Sequence, residues 1–120
     1  MSTLGQHQRA FVKDVIRLLE QALSLGFEIT LGEVLRPIEM QELYVKSGRS
    51  KTMDSMHLKK CAIDLNLFLD GQVCTRAQIK PLGDFWEGLA LENRWGGNWR
   101  GAVDSGKSTF VDAPHFERQC

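Results

Sequence analysis

The stretch GAVDSGKSTFVDAPHFE, Gly101 to Glu117, decides between two kinds of fold. Its first half fits the phosphate-loop pattern: Gly101, four residues, then Gly106-Lys107-Ser108. Such a loop works only between a buried strand and a helix, where loop amides and the helix N-terminus hold the phosphates. The context does not supply them. RWGGNWR precedes Gly101, and after Thr109 only eleven residues remain, interrupted by Pro114. A parallel nucleotide-binding sheet cannot be built from that, so the first half reads as a polar surface loop. The second half gathers Asp112, His115 and Glu117 within six positions, which is a different kind of chemistry.

Upstream, residues 6–25 carry apolar side chains at 11, 15, 18, 22 and at 12, 16, 19, 23, the spacing of an amphipathic helix. Thr3 or Ser2 suits its start and Gly26 its end. FEITL (27–31) alternates as a strand does. Pro37 opens a second, shorter helix that Gly48 closes. CAIDLNLFL (61–69) alternates and is rich in Leu, Ile and Phe, which predicts a strand, and Asp70-Gly71 predicts a turn that folds the chain back. Residues 76–92 predict a third helix, entered near Pro81. Phe110 to Arg118 predicts a short terminal strand broken at Pro114. Helices and strands mix without regular βαβ alternation. The expected class is therefore α+β, a small antiparallel sheet with helices packed around it.

A chain of 120 residues is one ordinary domain, expected over 1–120, and long enough to bury a real core. Fifteen acidic residues balance fifteen basic ones, so no global charge draws it to nucleic acid or an anionic membrane. No apolar run approaches the roughly 20 residues of a membrane span, and MSTLGQHQRAF lacks the basic-then-apolar order of a signal peptide. The three cysteines, Cys61, Cys74 and Cys120, form no close pair. They predict a reducing setting without a disulfide, Cys61 and Cys74 as small core residues and Cys120 as an exposed end.

Of the three histidines, His7 falls at the start of the first helix and is expected to be solvated. His57 lies seven positions before Asp64, and His115 three after Asp112. In the 61–69 strand, Ile63 and Leu65 share the core-directed face, which leaves Asp64 on the other. A carboxylate there is costly unless paired, and a cation would pair it. Pro114 breaks the alternation near the C-terminus, so Asp112 and His115 can face one cavity, with Glu117 on the His115 face and Phe116 toward the core. Two imidazoles and one carboxylate, with a fourth position left for water, is how catalytic zinc is usually held. Asp112 then remains as a proton acceptor. Spacing alone leaves open the plainer alternative of two hydrogen-bonded core histidines and ordinary surface acids.

Three ordered motifs bear on that choice. S-x-H-x-x-x-x-A-x-D-L (Ser55, His57, Ala62, Asp64, Leu65), W-G-G-x-W (Trp95, Gly96, Gly97, Trp99) and D-x-P-H-F-E (Asp112, Pro114, His115, Phe116, Glu117) together resemble the phage-type L-alanyl-D-glutamate peptidases. These are grouped with the zinc D-alanyl-D-alanine carboxypeptidases and vancomycin-resistance dipeptidases. The resemblance runs over roughly residues 27–118. It implies Zn²⁺ on His57, Asp64 and His115, Asp112 as catalytic base, and Arg36 as the group that polarises the scissile carbonyl. Ser55 would orient a ligand, and Glu117, Trp95 and Trp99 would support the site or line the substrate groove. Arg36 also suits a helix-start ion pair, and Trp95 an aromatic core under a glycine turn. Cys61 departs from the glycine common in relatives, and the 100–110 loop is long and polar. Lys46, Arg49, Lys51, Lys59 and Lys60 surround the first motif, either to meet stem-peptide carboxylates or as a solvated face.

The expected function is a monomeric zinc peptidase that cleaves the L-Ala–D-Glu bond of bacterial peptidoglycan. It would bind no nucleic acid, nucleotide or membrane, have no separate wall-binding domain, and wait in the host cytoplasm until lysis, as an endolysin does. The alternatives are a D-Ala-D-Ala carboxypeptidase and a non-catalytic wall-binding or virion domain.

Overall fold

A computed structural model describes residues 3–34, 38–48 and 56–120. The first helix, α1, spans Leu4–Ser24. Thr3 caps it with a capping box: its hydroxyl accepts from the Gln6 amide, and the Gln6 side chain accepts from the Thr3 amide. The chain leaves through Gly26 at φ +89°, a conformation that favours glycine. His7 is not solvated as expected. It is half-buried, and its Nδ1 accepts from Arg118 Nε at 3.1 Å, tying the start of α1 to the last strand.

Strand β1 (Glu28–Leu31) is followed by α2 (Ile38–Lys46), a 3₁₀ turn at Met56–Lys59, and the long strand β2 (Ala62–Leu69). Asp70 and Gly71, at φ 50° and 73°, form a two-residue turn into β3 (Gln72–Val73), because such hairpin turns need left-handed residues at both central positions. Helix α3 (Arg76–Leu89) starts earlier than its proline suggests. Thr75 builds a second capping box with Gln78, and Pro81 lies inside the helix. The cap, not the proline, sets the boundary. The glycine-rich region then contains a short strand that periodicity did not reveal, β4 (Asn93–Trp95), and the chain ends with β5 (His115–Arg118). Only that last part of the expected 110–118 strand is formed; the His115 amide donates back to Asp112 O at 3.0 Å, so residues 112–115 make a tight turn. Residues 99–107 run as turns between β4 and β5.

The sheet is antiparallel in the order β1-β2-β5-β4, with β3 on β2. Helices α1 and α3 pack together over one face. That face is apolar: Ile63, Leu65 and Leu67 from β2, Trp95 from β4 and Phe116 from β5 meet Phe11, Leu18, Ile79, Leu82 and Trp86. Trp86 stands edge-on to both Phe11 and Phe116, a favoured arrangement for aromatic rings.

Cys61 and Cys74 are buried as expected, but the expectation of no disulfide is overturned. Cys61 and Cys120 form a disulfide across a separation of 59 residues, and only Cys74 is a free, buried thiol. Cys61 precedes β2 and Cys120 follows β5. The pairing of those two strands, which no local spacing encodes, brings the two sulfurs together.

Candidate metal centre

The face of the sheet opposite the helices carries the polar residues, because side chains alternate along each strand. The register places Asp64 directly across from His115, Ala62 across from Glu117, and Arg94 across from Glu117. Trp95 and Phe116, one position on, fall on the core face. His57 reaches the same place from the 3₁₀ turn just before β2.

Three residues thus converge from three segments. Asp64 Oδ1 lies 3.3 Å from His57 Nε2 and 3.4 Å from His115 Nδ1. One donor atom from each residue falls within 4.8 Å of the other two. The far nitrogen of each imidazole is already held. His57 Nδ1 is 3.0 Å from the Val34 carbonyl, and His115 Nε2 is 2.7 Å from Glu117 Oε1. With a proton on each far nitrogen, both near nitrogens turn lone pairs toward Asp64, as metal-binding histidines are usually arranged. Asp64 Oδ1 is itself shut off from solvent without a well-aligned hydrogen bond, a costly state that a divalent cation would relieve. The donor set therefore fits a metal ion, and its two nitrogens and one oxygen suit zinc.

Electrostatics agree with a site built for positive charge. Burial alone would raise the Asp64 pKa, but the imidazoles of His115 and His57 overcome it and hold the carboxyl well below the usual range. Burial alone would lower the His115 pKa, but Asp64, Glu117 and Asp112 together raise it to about 9. Glu117 is lowered in turn: burial opposes this, while His115 and Arg94 outweigh burial.

Close backbone approaches build the rim, and each uses a glycine. A Cβ on Gly96 would stand 2.2 Å from the Asp112 carbonyl and 2.9 Å from His115 Cβ. The bare glycine instead exchanges main-chain hydrogen bonds with both residues. This sets Asp112 Oδ2 at 4.0 Å from His115 Nδ1, with a side chain 40% exposed at the edge of the cluster. A Cβ on Gly32 would likewise meet Asp64 at 2.9 Å, so the segment after β1 can cross Asp64 and bring Val34 to His57.

Among the other expected site residues, Glu117 is buried against His115 and belongs to the centre. Trp99 stands with its ring 5.3 Å from His115 and stacks on Phe110. Trp95 does not line a groove. It is wholly buried, its indole packed against Gly83 and Gly97, where any Cβ would overlap the ring. Arg36 and Ser55, like Arg49 and Lys51, lie outside the described residues. Sequence reasoning missed Arg94 and Arg100. Arg94 contacts Glu117 Oε2 through Nε at 3.0 Å and through Nη2. Arg100 caps the end of α3 by donating to the Glu87, Ala90 and Asn93 carbonyls, which anchors the chain next to Trp99. Neither has a local signal, since each is defined by a partner on another element.

Three comparisons with known proteins point the same way. The family model for phage L-alanyl-D-glutamate peptidases matches residues 1–118. The L-alanyl-D-glutamate peptidase of Listeria phage A118 is 34% identical over 103 residues, which is 84% of this chain but 34% of that protein. The chain thus spans about a third of the length of that relative. Among solved structures, the Serratia marcescens L-Ala D-Glu endopeptidase ChiX superposes with a TM-score of 0.65 at 26% identity. The match covers 89% of this chain and 79% of that one.

Proposed function

This chain belongs to the phage L-alanyl-D-glutamate peptidase family, and from that premise we propose that it is a zinc-dependent endopeptidase cleaving the L-Ala–D-Glu bond of the peptidoglycan stem peptide. The observation that carries the reading is the convergence of His57, Asp64 and His115 on one point, with the Asp112 carboxylate at its edge.

His57, Asp64 and His115 would hold the ion. When bound, it supplies Lewis acidity, polarising the scissile carbonyl and lowering the pKa of water to about 7. Asp112 does the proton work. Its partly exposed carboxylate can accept a proton from the attacking water and pass it to the leaving amine of D-Glu. Glu117 keeps His115 in the tautomer whose Nδ1 faces Asp64. Arg36, two positions after the Val34 carbonyl that meets His57, is assigned to the developing oxyanion, and Ser55 to orienting a ligand. Trp99 is assigned to the substrate side of His115. The whole of 1–120 acts as one catalytic domain on the cell wall. The described residues include no helix long and apolar enough to cross a membrane, and the phage relative supports synthesis in the host before lysis.

The test is metal analysis of purified protein together with lysis of isolated peptidoglycan by wild type and Asp112→Ala. Zinc near one equivalent in both, with activity of the variant reduced about 10²–10⁴-fold, is expected. New L-alanine carboxyl termini, without release of free D-alanine, should mark the bond cut. A fully active Asp112→Ala would remove Asp112 from its role, and lysis indifferent to a chelator would remove the metal.

A further inference from the structure

Glu117 divides its carboxylate between two partners. Oε1 meets His115 Nε2 at 2.7 Å, while Oε2 takes both Nε and Nη2 of Arg94 from the neighbouring strand. The side chain is almost wholly buried, whereas that of Arg94 is a third exposed. Trp86 locks the same pair from the core side, its Nε1 donating to the Glu117 carbonyl at 2.9 Å and the Arg94 carbonyl at 3.2 Å. The Arg94 guanidinium also lies over the Trp99 ring, 5.6 Å from its centroid, and that ring in turn contacts His115. The hydrogen-bonded path from this guanidinium to His115 therefore runs through Glu117, with the Trp99 ring packed beside it. When His115 is neutral and gives its Nδ1 lone pair to a cation, Glu117 still needs a positive partner in its buried place. Arg94 supplies one in two-point geometry that lysine cannot copy.

We propose that Arg94 is a positioning residue of the metal centre, fixing the ring of His115 through Glu117. This rests on reading His57, Asp64 and His115 as a zinc site. Removing Arg94 should let Glu117 turn and His115 swing, so metal affinity falls although no ligand has been touched. A merely structural ion pair would lower thermal stability and leave affinity alone.

The experiment is a zinc dissociation constant, measured by competition with a chromophoric chelator, for the 120-residue wild-type chain, Arg94→Met, Arg94→Lys, Glu117→Gln and the Arg94→Met/Glu117→Gln double variant. Circular dichroism confirms folding of each at the temperature used. Arg76→Met serves as control, because Arg76 also lies over a tryptophan, Trp95, and pairs with an aspartate, Asp104, outside the centre. Arg94→Met is expected to bind zinc 10–100-fold more weakly, Arg94→Lys to fall between it and wild type, and Arg76→Met to match wild type. The double variant should be no weaker than Glu117→Gln alone, since Arg94 acts through that carboxylate. Wild-type affinity in Arg94→Met, or penalties that add in the double variant, would overturn the proposal while leaving the zinc site standing. A wild type that takes up no zinc would remove the site and the proposal with it. Should Arg94→Met not fold, wild-type affinity in Arg94→Lys overturns it equally.

Discussion

Strands β2 and β5 present two faces made from alternating residues of the same two segments. Toward the helices stand Ile63, Leu65 and Phe116; toward the other side stand Asp64, His115 and Glu117. Both faces are largely buried, yet their energetics are opposite. The core face gains from every side chain taken out of water. The other face gathers two imidazoles, two carboxylates and a guanidinium where charge is costly, and a bound cation is what would repay that cost. Stability and chemistry are thus separated by one residue of register, and substitutions on the two faces should fail in different ways.

The largest effect belongs to the polar face. His115→Ala removes a proposed ligand, and zinc affinity should drop by more than the 10–100-fold typical of outer partners. Wall lysis should fall to background while the far-ultraviolet dichroism of the protein stays that of a folded chain. Retention of stoichiometric zinc would break the comparison at its centre. The core counterpart is Leu18→Ala, in α1 and wholly buried against the helix-covered side. It should cost about 2–5 kcal/mol by chemical denaturation, with lysis per folded molecule kept within about twofold. Lost activity without lost stability would show that the two faces are not independent.

The Cys61–Cys120 bridge clamps the two strands that carry both faces. Opening it with a reductant, or by Cys120→Ser, should lower stability by about 2–4 kcal/mol, the usual range for closing a long loop. Zinc affinity should change less than in His115→Ala, because neither sulfur belongs to the donor set. An unaltered melting temperature on reduction would show that the strands need no clamp.

The residues themselves disclosed one part of this architecture and hid another. Helix α1, the β2 strand with its Asp-Gly turn, and the division of Ile63 and Leu65 from Asp64 were legible, because periodicity and capping act within a few residues. The His57, Asp64 and His115 cluster was legible as residue types at suggestive spacings, and the motif resemblance is what singled out a metal site among the possibilities. What stayed hidden is defined across the sheet. Three residues of β4 carry too little pattern to announce a strand, and without β4 the Arg94–Glu117 pair has no reason to exist. The disulfide depends on the β2–β5 register in the same way. The sequence leaves Trp95 open between the groove and the core, because tryptophan beside glycines suits either a turn or a packed ring. The missing Cβ atoms of Gly83 and Gly97 decide for the ring.

The last effect concerns pH, and it sharpens the difference between the two faces because only one of them titrates near neutrality. In metal-free protein, Asp64, Glu117 and Asp112 outweigh burial and raise the His115 pKa from 6.5 to about 9. A raised folded-state pKa means that the proton stabilises the folded chain. That contribution is fully present below about pH 6.5, declines as pH rises, and is gone above about pH 9. The melting temperature of chelated wild type should therefore fall across this window relative to chelated His115→Gln, which lacks the titrating group. Zinc reverses the sign, because the ion competes with that same proton for Nδ1. The stabilisation gained on adding zinc should grow between pH 6.5 and 9, while Leu18→Ala shifts both curves down without changing their slopes. Parallel curves for chelated wild type and His115→Gln would mean that His115 is already neutral in the metal-free fold, and the stabilisation gained on adding zinc should then be flat between pH 6.5 and 9 instead of growing.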